Sequence, residues 1–246
     1  MQVTMTYHKY KNIRKTRVKS VISTILILLF GLISSIILVA EKKKLRSFDE
    51  RVFYLVSVAS SRKISLLDDK KELLKNLGGA NIVFEYKGQS HLIASVYLDQ
   101  ESASEIKGNM QEYFDGTEVL KIKSKRVSTK GIKAIKDIAG AEEFIKYLYK
   151  ISLDFENLQM GYLSGGISES EFISKMVDSR IRLEKERLNI ENVNDLAETI
   201  ISRGEIINFK LTSFLNGFSV AKHKQNYVCN YFVEFYLSYV ELFECL

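Results

Sequence analysis

The most distinctive hydrophobic pattern in the chain is an uncharged run at residues 21–40, VISTILILLFGLISSIILVA, with no proline and no amide side chain. At about 1.5 Å rise per residue, a helix of this length spans about 30 Å, the thickness of the hydrocarbon core of a bilayer. A signal peptide would have a shorter apolar region followed by a small-residue cleavage site, and a core helix would not be apolar on every face. The run therefore predicts an uncleaved transmembrane helix.

The next part of the chain alternates short strand patterns with two helical patterns. Gly78 and Gly79 close the first helical pattern, and Asp99 is a candidate cap for the second. The order strand, helix, strand, strand, helix, strand predicts a split βαβ arrangement, a four-stranded antiparallel sheet with both helices on one face. The predicted strands are 51–60, 80–86, 91–98 and 117–127, and the predicted helices are 65–77 and 100–114.

After residue 128 the pattern changes to long amphipathic helices. Apolar residues step by four and three from Phe144 to Tyr162, and Ser168 with Glu171 forms a capping box for the next helix. Asn192 is a candidate cap for a third helix that continues to Phe218. A fourth helix is predicted from about residue 222 to residue 243. Antiparallel packing of these helices would bury their apolar stripes.

The last predicted helix is dense in aromatic residues, which permits three interpretations. It is a second membrane span, the central helix of a bundle, or a helix that binds a partner. Glu234, Glu241 and Glu244 argue against a span, because a carboxylate at membrane depth is costly. The other two interpretations remain open from the sequence.

These patterns predict an α+β protein with an N-terminal transmembrane helix, a four-stranded antiparallel sheet with two helices, and an all-α antiparallel helical domain. The predicted sections are a basic head at 1–20, the membrane helix at 21–40, a short linker at 41–50, the split βαβ domain at 51–128 and the helical domain at 129–246.

The net charge of +6 lies entirely in the basic head. Residues 1–20 hold six of the 36 basic residues and none of the 30 acidic residues, so the rest of the chain is neutral. A neutral remainder gives no electrostatic footprint for nucleic acid. The head instead favours contact with anionic membrane lipid, with the N-terminus in the cytoplasm and the later domains outside it, because six basic residues precede the span and four follow it closely.

Three segments of the predicted sheet domain resemble a known family. Residues 55–60 are LVSVAS, residues 73–78 are LLKNLG, and residues 94–98 are ASVYL. They resemble the first strand, the first helix with its terminal glycine, and the third strand of the SPOR domain, the sporulation-related repeat of bacterial division and sporulation proteins. The resemblance covers residues 51–127, about a third of the chain.

The resemblance implies that the open face of the sheet binds septal peptidoglycan, on glycan strands stripped of their peptides. Strand alternation then assigns a set of outward positions as the candidate glycan site. These are Leu55, Ser57, Val83, Glu85, Ile93, Ser95 and Tyr97, with His91 beside them. Four positions differ from the family pattern: Ser57 replaces Gln, Ala59 and Tyr97 replace Gly, and Ser95 replaces Arg.

A second interpretation of this face is that the later helices cover it, because Leu55, Val83 and Ile93 are too apolar for bare solvent. Lysines at 121, 123 and 125 alternate on the last predicted strand. They either meet an anionic polymer of the cell wall or protect the sheet edge against aggregation.

The sequence contains no motif that predicts catalysis, metal binding or a cofactor. Its three histidines are separated, and no phosphate-binding loop, CxxC or metalloprotease motif occurs. Cys229 and Cys245, on one predicted helix, would lie about 24 Å apart at the helical rise, too far for a disulfide. We therefore predict a protein that is not an enzyme and holds no cofactor.

Two functions follow from these patterns. The first is a single-pass bacterial membrane protein whose SPOR-like domain binds peptidoglycan during cell division or sporulation. The alternative is a docking or scaffold subunit of a membrane assembly, which binds a protein partner or forms a homodimer through its helical domain.

Overall fold

A computed structural model of the protein describes residues 48–246. The predicted basic head, the membrane helix and the start of the linker lie outside the described residues. Among the helices of residues 48–246, none is both long and apolar enough to cross a bilayer.

The described chain is an α+β fold with one sheet. The strands are β1 (Val52–Ser61), β2 (Ile82–Tyr86), β3 (Gln89–Tyr97) and β4 (Glu118–Lys123). The helices are α1 (Asp68–Asn76, after a 3-10 turn at Ile64–Leu67), α2 (Gln100–Met110), α3 (Thr129–Lys136), α4 (Ala141–Leu163), α5 (Glu169–Leu188), α6 (Asp195–Phe218) and α7 (Lys224–Cys245).

The strand order is β2-β3-β1-β4, and every neighbouring pair is antiparallel. Each of the two βαβ units therefore has one strand of the other unit between its own strands. This is the split βαβ topology predicted from the order of elements. The prediction of a four-stranded antiparallel sheet is confirmed.

One face of the sheet packs against α1 and α2. Val56 and Val58 from β1 meet Leu74 of α1 and Ala103 of α2 in a small apolar core. Asp99 caps α2 as predicted, since its side chain accepts a hydrogen bond from the Ser102 amide. Both early helices therefore lie on one face of the sheet, which we call the α1–α2 face.

The opposite face packs against α7, and we call it the α7 face. The Phe53 ring of β1 lies 5.1 Å from the Tyr236 ring and 5.7 Å from the Tyr239 ring. The same core continues through Leu55 and Ile93 into the later helices. The interpretation in which later helices cover the sheet is thus the one observed, and α7 is a central buried helix.

The later helices begin near their predicted caps. Ser168 accepts a hydrogen bond from the Glu171 amide at the start of α5, as the capping box predicts. Asn194, and not Asn192, caps α6 by accepting from the Ala197 amide. The short helix α3 was not predicted.

Residues 48–246 form one compact unit. The boundary predicted at residue 128 does not separate two cores, because the main core contains Phe53 and Ile93 from the sheet together with Phe155 and Phe232 from the helices. The sequence predicts the apolar stripe of α4, where Phe144, Leu148 and Phe155 are buried, but it does not show which stripes meet.

Candidate functional site

The seven predicted glycan-binding residues do not share one face of the sheet. The pairing of β1 with β3 is irregular, since Val56 pairs with Ser95 while the next residue, Ser57, pairs with Ile93. Ala94 of β3 is therefore an extra residue, and Val58 of β1 is a second one, because Ala59 pairs with Leu92. This β-bulge reverses the alternation of side chains beyond it on both strands. Strict alternation, on which the prediction relied, fails at this point.

The predicted set is divided between the two faces, because the bulge moves Ser95 and Tyr97 and because Val83 pairs with Leu92, which points away from Ile93. Directly paired residues on neighbouring strands point to the same side of a sheet. Three of the seven lie on the α7 face, namely Leu55, Ser57 and Ile93. The other four lie on the α1–α2 face, namely Val83, Glu85, Ser95 and Tyr97.

Most of these residues are also inaccessible. The exposed fraction is 1% for Leu55, 0% for Ser57 and Ile93, and 4% for Ser95 and Tyr97. Burial raises the pKa of the Tyr97 hydroxyl to about 12. Val83 is half-buried and Glu85 is exposed at the end of β2. The prediction that these side chains form an open binding face is therefore wrong, because helices cover both faces.

Polar contacts as well as aromatic packing hold α7 on the sheet. The side-chain amide of Asn226 donates to the Gly79 carbonyl at 2.5 Å, and the Asn230 side chain accepts from the Asn81 amide at 2.9 Å. The two asparagines are themselves joined by a hydrogen bond of 3.2 Å. These contacts fix the first half of α7 against the segment before β2.

One polar end of the α7 face remains open. Tyr86, His91 and Glu118 line a pocket of about 480 Å³ there. The Nδ1 atom of His91 lies 3.3 Å from the Ser57 hydroxyl and 3.3 Å from the Glu118 carboxylate. A catalytic relay needs serine and carboxylate on different ring nitrogens, whereas here both approach the same one. The cluster has the residue types of a triad without its geometry.

Among the described residues, the cysteines form no disulfide and the acidic side chains form no metal-binding group. Both cysteines are free, and burial raises the pKa of the Cys229 thiol to about 12, which keeps it protonated and unreactive. Within residues 48–246, no three His, Cys, Asp or Glu side chains are grouped as metal ligands.

A surface groove with a volume of about 640 Å³ lies between α6 and α7. Three stacked aromatic rings line it. The Phe214 ring lies 5.3 Å from the Tyr227 ring and 4.6 Å from the Tyr231 ring. Phe214 and Tyr231 are also part of the main core, so packing fixes the positions of these two rings. We call this concavity the α6–α7 groove.

Apolar residues on the outer side of α6 border the groove. Phe209 is 69% exposed and Ile206 is 39% exposed. Charged pairs lie around them: Glu205 contacts Arg187 at 2.9 Å, and Lys210 lies 3.6 Å from Glu234. An aromatic side chain this exposed, beside an aromatic-lined groove and charged neighbours, is typical of a protein interaction site.

The sequence carried a signal for this groove that the prediction did not use. The core stripe of α6 contains Ile200, Ile207 and Leu211, and Phe209 lies off that stripe on the opposite side of the helix. A large aromatic residue on the polar side of an amphipathic helix is a sign of an interaction surface.

Comparison with models of protein families, with curated proteins and with solved structures finds no match to this chain.

Proposed function

We propose that the protein is a non-catalytic docking subunit of a membrane assembly and binds another polypeptide through the α6–α7 groove. In this proposal the helix predicted at residues 21–40 anchors the chain in the cell membrane, and the folded part lies outside the cytoplasm. The observation that carries the proposal is the exposure of Phe209 beside a preformed aromatic groove. A C-terminal reporter enzyme that is active only outside the cytoplasm tests the orientation.

The geometry of the groove supports the binding of a helix or an extended segment. Its Phe214 and Tyr231 side chains are already buried in the core, so these two lose little conformational entropy when a partner binds. Aromatic anchors that are surrounded by charged side chains provide most of the binding energy in many protein interfaces. In this role the sheet and α7 form the rigid support that positions α6.

Photocrosslinking from position 209 tests this function. The full chain carries benzoylphenylalanine in place of Phe209, which keeps an aromatic side chain, and is irradiated in intact cells. We expect a covalent adduct with a polypeptide that mass spectrometry can identify. The same residue placed at Tyr113, which is 54% exposed and lies far from the groove in the sequence, is the control.

A second substitution separates docking from chance capture. Ile206→Lys places a charge in the groove and should abolish the adduct, whereas Val220→Lys, at a residue 79% exposed and outside the groove lining, should leave it intact. Equal adduct yields from positions 209 and 113, or an adduct that survives Ile206→Lys, would contradict the docking function.

Peptidoglycan binding by a SPOR-like domain is the second candidate function. The strand order β2-β3-β1-β4, which the order of elements predicts, is compatible with it. Because α7 occupies one face and two helices occupy the other, a glycan strand would have to bind at the open polar pocket that includes Gln89 and His91. Recruitment to the division or spore septum would follow from such binding.

A pelleting assay tests the second candidate. The full chain in detergent is mixed with sacculi stripped of peptides, and Gln89→Ala is compared with Gln111→Ala, an exposed glutamine outside the pocket. Binding that only Gln89→Ala weakens would support the glycan site. Absence of the protein from the pellet would remove this candidate.

A further inference from the structure

The exposed side of α6 has the spacing of a two-stranded coiled-coil seam. Six positions on α6 follow one another at alternating intervals of three and four residues. They are Thr199, Ser202, Ile206, Phe209, Ser213 and Asn216. Ser202, Ile206, Phe209 and Ser213 are exposed, and they lie on the side of α6 opposite its buried core stripe. This alternation places a and d positions of a heptad on one outward face.

The charges that flank this seam are complementary between two parallel copies. In a parallel pair of helices, a residue at position g of one helix meets the residue five positions later, at position e, of the other helix. Glu198 is followed five residues later by Arg203, and Glu205 is followed five residues later by Lys210. Both pairs have opposite signs, and an isologous dimer would form each of them twice.

We propose that a second copy of this chain is the partner at this surface, with the two α6 helices parallel and in register about a two-fold axis. Phe209 packs against Phe209 of the second copy, and Ile206 packs against Ile206 in the next layer. The proposal rests on the proposed docking function and names its partner. Polar and small seam residues on either side of the two apolar layers make the contact reversible.

Existing ion pairs within each chain are compatible with this contact. Glu205 already binds Arg187, and Lys210 already lies near Glu234. Arg203 likewise binds Glu241 of its own chain at 2.7 Å. Pairing of Glu205 with Lys210 of the second copy joins these pairs into one network in which the signs alternate. A network of this kind holds register better than an isolated surface pair does.

Disulfide trapping of the full chain in its membrane tests the register. In a parallel, in-register pair, each seam residue faces its own equivalent, so Ser213→Cys alone should trap a dimer on oxidation. Ser174→Cys, an exposed serine on α5, is the matched control. Both variants carry Cys245→Ser, which removes the exposed native thiol. Equal trapping of the two variants would overturn the proposal.

Charge reversal tests the partner itself. Glu205→Lys alone and Lys210→Glu alone should each reduce trapping through Ser213→Cys, by roughly tenfold, because like charges then meet across the seam. A mixture of the two single variants should restore trapping as a mixed dimer. Changes confined to one chain cannot produce this rescue, so its absence would overturn the two-fold contact.

The outcomes also separate this inference from the docking function. A chain that gives no self-trapping, while benzoylphenylalanine at position 209 captures a different polypeptide, would overturn the second copy as partner and leave the docking function standing. Absence of any adduct at position 209 and of self-trapping would overturn both.

Discussion

At the scale of single residues, Asp99 stabilises the start of α2 in a way that depends on pH. The hydrogen bond from the Ser102 amide to its carboxylate, 2.7 Å long, holds the pKa of Asp99 below its ordinary value. A lowered pKa means that the stabilisation is present above the unfolded pKa, about 3.9, and is lost as pH falls through the folded pKa.

We expect Asp99→Ala to lower the free energy of unfolding by about 1 kcal/mol at pH 7 and by less at low pH. Asp99→Asn keeps an acceptor without the charge, so it should cost less and show no such dependence below pH 4. Urea unfolding of residues 48–246 at several pH values measures both. An equal cost for the two variants would show that the cap does not act through its acceptor.

Two buried tyrosines give a paired prediction about hydrogen bonds. The Tyr236 hydroxyl donates to the Ser152 carbonyl at 2.7 Å, whereas the Tyr231 hydroxyl is buried with no partner among the described residues. Tyr236→Phe should cost about 1 kcal/mol, because it leaves a buried carbonyl with one bond fewer. Tyr231→Phe should be neutral or stabilising, since it removes an unsatisfied group. Thermal unfolding of the two variants compares them directly, and a larger loss for Tyr231→Phe would contradict the assignment.

At the scale of elements, the turn between α3 and α4 depends on one glycine. Gly140 has φ +80°, and a Cβ atom there would lie 2.2 Å from the Asn189 carbonyl oxygen at the end of α5. The adjacent Ala139 carbonyl accepts a hydrogen bond from the Glu191 amide at 3.1 Å. The turn before α4 therefore lies in direct contact with the segment after α5.

Gly140→Ala should destabilise the protein by more than about 2 kcal/mol, because strain at positive φ adds to a backbone clash. Gly88→Ala is the matched control, since Gly88 has φ +77° with nothing within 4 Å of the added Cβ. It should cost about 1 kcal/mol from backbone strain alone. Equal costs in thermal unfolding would show that the contact with Asn189 adds nothing.

Helix starts and ends were predictable from the sequence, because the residues that determine them lie within a few positions of each end. Asp99 and Ser168 cap the expected helices, and Gly78 ends α1 with φ +83°. The bulge at Ala94 was not predictable by alternation, because it depends on how β1 and β3 pair. One extra residue therefore placed Ser95 and Tyr97 on the wrong face in the prediction.

At the scale of the whole molecule, the folded part depends on contacts between distant segments of the chain. Phe53 and Ile93 of the sheet are buried in the same core as Phe232 and Tyr239 of α7. No local pattern shows this, because the residues of an apolar strand face have the same spacing whether a ligand, solvent or a helix covers that face. The prediction of an open glycan-binding face was wrong for this reason, whereas the prediction of the sheet topology was confirmed.

A chain truncated after residue 128 should therefore not fold cooperatively. Without α7, the apolar residues of one sheet face would be exposed to water, including Phe53, Leu55 and Ile93. We expect residues 48–128 to bind a hydrophobic dye strongly and to unfold without a sharp transition. Residues 48–246 should unfold in one transition. A sharp transition of the truncated chain would show that its core is sufficient alone.

The extra residue at Ala94 gives β3 one position at which its length can change without reversing its side chains. Ser95 and Ile93 already lie on opposite faces, so a strand without Ala94 would alternate regularly and keep Leu92 and Ile93 on their present sides. Differences in length among natural versions of this strand should therefore be found at this residue, and differences elsewhere in the strand should be substitutions.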